Sequence, residues 1–234
     1  MSEEATTPTI EEPDDSVTVV DGFDLDAQYR SILSPGAFVR DFDGRLRRLP
    51  RFFLRVPSKK SAWTTFLTPH FAIGEFLRVD LKEADPLRDF PRFIPTAVRF
   101  LALVLQDVRN LIGTTVNISV NGGYRSPSHQ RGHRGDPHRW ACAADIYRIG
   151  STLIDDQEVH DRYAAQIREI GDHLQVSPWG SEPGHADDHL HLDIGYALLN
   201  DRELEDDPRE VHILQDVVER RASDRRGLES GLRP

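Results

Sequence analysis

The chain has 234 residues, 38% hydrophobic and 29% charged, with a formal net charge of -10 and a mean hydropathy of -0.50. That length suits one well-buried domain with extensions. No apolar run approaches the ~18 residues of a membrane helix, the acidic balance disfavours non-specific nucleic-acid binding, and a single cysteine, Cys142, excludes an intrachain disulfide or a multi-cysteine metal site.

Residues 1–26 carry nine acidic side chains and no Lys or Arg, which reads as a disordered tail. The first fifteen residues lack the basic and apolar regions of a secretory leader. The expectation is therefore synthesis in the cytoplasm, with lysis or packaging into a particle as routes out. The charge then reverses: residues 45–60 hold seven basic side chains and no acidic one, with Phe52, Phe53 and Leu54 among them. The charges read as solvated and the apolar triplet as packed; the other reading is an arm that docks on a partner or an anionic polymer. The expected division is an N-terminal extension over 1–60, available for a protein assembly, a compact domain over 61–200, and a C-terminal helix and tail over 201–234.

Within the compact part, Ile94, Val98, Leu101, Leu105, Val108 and Ile112 recur at three- and four-residue steps, predicting a helix over 91–112 with Pro91 in its first turn and Gly113 after its end. Alternation predicts a strand over 116–120, closed by a turn at Asn121-Gly122-Gly123. A loop entering a strand is expected at 141–146. A helix is expected over 157–174, with Val159, Tyr163, Ile167 and Ile170 inward and Asp155 and Asp156 available as caps. A short strand at 174–176 precedes one at 188–194, where Leu190, Leu192 and Ile194 face one way and His189, His191 and Asp193 the other. An amphipathic helix over 208–220 uses Val211, Leu214, Val217 and Val218.

Two segments carry the chemistry. His138 and Asp145 lie seven residues apart in a Gly/Pro/Ala-rich loop, and His189 and His191 share one face of the later strand. Two imidazoles and a carboxylate are the donor set of a catalytic zinc that keeps a fourth position open for water. One of His189 and His191 would ligate, leaving the other for acid/base work or for holding an oxyanion. Asp193 could orient His191 from behind, and Asp188 is a candidate general base. His129, His133 and His185 read as ordinary loop residues, and His70 and His212 have no partner in the sequence.

Gly123-Tyr124-Arg125-Ser126-Pro127, then His138, Ala143 and Asp145, then His189-Leu190-His191 follow one another in an order that resembles the zinc D-Ala-D-Ala carboxypeptidases and L-alanyl-D-glutamate endopeptidases of peptidoglycan, which share a fold with the hedgehog signalling domain. Residues 68–76 are similar to the segment that often precedes that family's long helix, and the likeness covers roughly 65–197. Asp136 stands where the family usually has Ser, and Ala141 where it usually has Gly. The resemblance implies an α+β fold, a small, mostly antiparallel sheet with helices packed on it. It implies zinc held by His138, Asp145 and His191, a catalytic His189 with Asp188 as an alternative, and a substrate contact at Arg125 flanked by Tyr124 and Ser126. The implied activity is hydrolysis of peptidoglycan stem peptides by metal-activated water. The other class of reading is a zinc-stabilised module without turnover, a structural or binding part of a larger assembly such as a phage-like particle.

Overall fold

A computed structural model of the chain describes residues 15–41, 43–133, 135–171, 174–181 and 188–197. Strand β1 (Thr18–Asp21) leads through a 3-10 turn into α1 (Ala27–Leu33), capped by the Asp26 carboxylate, which accepts from the Gln28 and Tyr29 N–H groups. A hairpin of β2 (Phe38–Arg40) and β3 (Leu46–Arg48) precedes β4 (Phe52–Val56). Helix α2 (Lys59–Thr64), capped by Ser58, leads to the short strands β5 (Phe66–Thr68) and β6 (Phe71–Ala72) and the single-turn helices α3 (Ile73–Phe76) and α4 (Asp85–Arg88). Strand β7 (Arg92–Pro95) pairs with β4, and β4 with β1, all antiparallel.

Helix α5 (Val98–Ile112) buries Val98, Leu101, Leu105 and Val108 and ends at Gly113 in the left-handed conformation. A second antiparallel sheet follows. Its central strand β9 (Ala143–Ile149) is paired with β8 (Val116–Ile118), with β10 (Thr152–Leu153) and with β12 (Leu190–Asp193), and β12 pairs in turn with β11 (Gln175–Val176). Helix α6 (Gln157–Arg168), capped by Asp156, connects β10 to β11. The protein is α+β, with small antiparallel sheets and helices packed on one continuous core. No helix among the described residues is long and apolar enough to cross a membrane.

Four expectations change. The compact part does not start near residue 61: β1 and β4 belong to a three-stranded sheet with β7, and Leu33, Leu49, Phe53, Leu54 and Val56 sit in the same apolar cluster as α5. The triplet at 52–54 is buried, and Val17 and Val20 are partly buried against the same core, so apolar packing outweighs the charge around them. The basic run is not wholly solvated, since Arg47 is buried, paired with Asp41 at 2.9 Å and stacked on the Tyr196 ring. The helix expected from residue 91 starts at Val98 instead. Pro95 has no N–H to give and disfavours helical geometry in the residue before it, so Phe93 and Ile94 are buried on a strand. The helix expected over 157–174 stops at Arg168, followed by a turn at Glu169 and Ile170. The expected helix over 208–220, His185 and His212 lie outside the described residues.

Candidate metal centre

The Asn121-Gly122-Gly123 turn is the floor of the site. Asn121 takes a positive φ of 62°, and Gly122 passes so close to β9 that a Cβ there would lie 2.9 Å from the Asp145 Cβ. The loop from 124 to 136 then returns to a 3-10 helix (Pro137–Trp140) that carries His138. Asp136 starts this helix: its Oδ1 accepts the His138 backbone N–H at 3.0 Å. Ala141, just past its end, adopts φ 54° and ψ 38°, the left-handed conformation for which glycine is the usual residue. That turn aims the chain into β9, where Asp145 pairs across the sheet with His191 of β12.

These three residues converge. His138 Nε2 lies 3.1 Å and His191 Nδ1 2.8 Å from Asp145 Oδ1. One donor atom from each of the three lies within 4.8 Å of the others, a group able to hold a metal ion. The far sides of both rings are held in place. His138 Nδ1 is 2.6 Å from the Gly123 carbonyl oxygen. A carbonyl only accepts, so Nδ1 carries a hydrogen and Nε2 is the nitrogen turned to the site. His191 Nε2 lies 3.7 Å from Asp193 Oδ2, so the ring is braced from its far side by a carboxylate. Donors around a tetrahedral zinc stand roughly 3.3 Å apart at its usual bond lengths. The contacts to Asp145 Oδ1 need to open by only a few tenths of an ångström to match.

The second oxygen of Asp145 is held elsewhere. Arg125 donates to Asp145 Oδ2 through Nη2, to Asp136 Oδ2 through Nη1 at 3.2 Å, and to the Asn121 carbonyl through Nε at 2.6 Å. Burial would raise the Asp145 pKa, but the His138 charge and hydrogen bond, the His191 hydrogen bond and the Arg125 charge hold it well below the carboxylate range. Burial pulls His191 down, yet hydrogen bonds and charge from Asp145 and Asp193 lift it to about 10.

His189 stands beside this group. Its Nε2 is 3.7 Å from Asp145 Oδ1, and its Nδ1 is 2.9 Å from the exposed Asp188 carboxylate. Tyr124 and Ser126 lie behind the loop. Tyr124 is buried, and Ser126 is fully buried with its hydroxyl donating to Glu83 Oε1 at 2.6 Å.

Three residues support this geometry in ways that the sequence did not signal: Glu83, His129 and the side chain of Asn121, whose backbone turn was expected. Glu83, itself buried, also accepts the Ser126 N–H at 3.1 Å and pins the loop from 43 residues away. Asn121 accepts the Asp80 N–H and meets His129 Nε2 at 3.1 Å. His129, expected to be an ordinary loop residue, is buried, and burial with the Arg125 charge holds its pKa down at about 4. His133 is exposed, and His70 Nδ1 meets Gln106 Oε1 at 3.1 Å. No protein-family model matches this chain, and searches of curated proteins and of solved structures return no match.

Proposed function

We propose that the chain is a zinc-dependent peptidase acting on peptidoglycan stem peptides, on a fold of the hedgehog/DD-peptidase kind. One observation carries the proposal: His138 Nε2, His191 Nδ1 and Asp145 Oδ1 converge, with His189 adjacent and not needed to complete the set. A purely structural zinc site would more often close its shell with a fourth protein ligand.

His138, Asp145 and His191 would hold the ion, which supplies a bound water of pKa near 7 and polarises the scissile carbonyl. Asp188 fixes the His189 ring through Nδ1, so Nε2 is the nitrogen turned to the site and takes the proton of the attacking water. The same nitrogen then protonates the leaving amine. Arg125 has Nε and both terminal nitrogens already engaged. This favours a role in positioning Asp145 over the substrate contact that the resemblance implies. Tyr124 and Ser126 shape the loop from the inside.

The test is mass spectrometry of purified muropeptides incubated with the protein, with and without a chelator, beside a zinc assay. The expected result is about one zinc per chain and chelator-sensitive cleavage, lost in His138→Ala together with the metal and lost in His189→Ala with the metal retained. Loss of a terminal alanine identifies a carboxypeptidase, and a cut within the stem or cross-link an endopeptidase. Zinc-loaded protein that leaves every muropeptide intact would overturn the proposal in favour of a zinc-stabilised module.

A further inference from the structure

A second concave site lies outside the metal centre. It is a cavity of about 440 Å³ between α2, the 74–79 segment and the chain leading into β7, within the size range of small-molecule sites. Lys59, Arg78, Arg88 and Arg92 line it against one lining carboxylate, Asp89, on a chain of net charge -10. Arg88 is paired with Asp85. Lys59, Arg78 and Arg92 form no ion pair with a carboxylate among the described residues. Arg78 donates to the Ile118 carbonyl at 3.3 Å, and Arg92 donates to the Leu77 and Arg88 carbonyls. Arg92 thus braces the wall, with the Asp89 and Glu83 charges acting on it without a direct ion pair, and its Nε is buried without a hydrogen-bond partner.

The same cavity holds one aromatic platform. Trp63 lines it and is 44% exposed. A Cβ on Gly74 would lie 2.7 and 2.8 Å from Trp63 Cδ2 and Cε2. Those are the two carbons shared by the indole rings and are reached only across a ring face. Gly74 therefore backs one face of the indole, and both residues line the cavity. The Phe90 ring is taken by the Arg92 guanidinium, 5.0 Å from its centroid.

We propose that this cavity binds a sugar phosphate. Three cations held in no direct ion pair suit a doubly charged phosphate better than a single carboxylate, and the half-exposed indole in the wall suits the apolar face of a single pyranose ring. The phosphate sits among Lys59, Arg78 and Arg92, and the sugar lies on Trp63. Val120 also lines the cavity and leads directly into the Asn121–Gly122 turn of the metal centre, but the two sites share no donor atom.

Calorimetric titration of the full chain with glucose 1-phosphate, inorganic phosphate and glucose tests this, with Trp fluorescence followed in parallel. The expected result is that glucose 1-phosphate binds at least tenfold more tightly than either half and weakens as salt is raised. Arg78→Gln and Lys59→Gln, both at exposed positions, each lower that affinity at least fivefold with the zinc content unchanged, and Lys59→Gln does so without moving the thermal midpoint. Equal binding of glucose, no binding of glucose 1-phosphate, or unchanged affinity in both variants would overturn the proposal. So would tighter binding of an acidic peptide copying residues 1–14, which would make the cavity a seat for acidic peptide.

Discussion

Asp145 is shared between two masters: Oδ1 faces the histidines and Oδ2 is held by Arg125, which is in turn held by Asp136. Asp136→Asn keeps the cap on the 3-10 helix, since asparagine caps as well as aspartate, but leaves the guanidinium balanced by Asp145 alone. Zinc affinity should fall about 10- to 100-fold by chelator competition; an unchanged affinity would remove Asp136 from the site. Gly122→Ala would place a Cβ 2.3 Å from Ser119 Oγ and 2.9 Å from the Asp145 Cβ. It should cost about 1–3 kcal/mol in urea unfolding and weaken zinc binding with it. Two histidines set the pH profile of the metal-free chain. His191 is raised from 6.5 to about 10, so its contribution is complete below pH 6.5 and is lost as pH rises towards 10. His129 is lowered from 6.5 to about 4, so its contribution is present above pH 6.5 and is lost as pH falls towards 4. Urea midpoints in EDTA should therefore peak near pH 6.5. Zinc should oppose the alkaline decline, because ligation needs the deprotonated ring. A midpoint that climbs steadily from pH 6.5 to 10 in EDTA would contradict this account of His191.

The unit that makes the site is the pairing of β9 with β12. Asp145 stands opposite His191, and Leu192 opposite Ala144, with both members of the second pair fully buried. A slip of one residue would turn His191 into the core and Leu192 into the site, so burial of Leu190 and Leu192 fixes the register of the ligands. Leu192→Ala should cost about 2–5 kcal/mol, read by urea unfolding, with part of the loss recovered on adding zinc; no loss would mean that this leucine does not set the register. The alternation of residues 189–193 made this strand legible in advance, because period-two patterning is local. The bounds of α5 were less legible: the apolar stripe runs without a break through Ile94, and only Pro95, the last residue of β7, signals the change from strand to helix. Glu83 and the side-chain contacts of Asn121, inside a turn that was expected, could not be read. Glu83 works through Ser126 and Asn121 through Asp80, each about forty residues away, and His138 through a carbonyl fifteen residues back, and such contacts leave no spacing to recognise.

At the scale of the molecule, the segment before residue 61 is structural. It supplies two of the three strands that end on β7, and Trp140, beside His138, donates its indole N–H to the Arg48 carbonyl at 2.7 Å. A chain starting at Ser61 should lose its cooperative thermal transition and its zinc; a sharp melt with bound metal would restore the boundary expected from charge alone. Cys142 lies at the junction of the same parts, fully buried between the 3-10 helix and β9, with its thiol pushed up to about 12 chiefly by burial. Its backbone carbonyl accepts the Ile194 N–H and its sulfur accepts the Ala197 N–H. The chain's one thiol is therefore chemically silent while β9 and β12 stay together. Alkylation at neutral pH has to wait for the sheet to part, so its rate is a native stopwatch for opening of the metal-bearing strands, with no label to engineer and no second thiol to confuse the count.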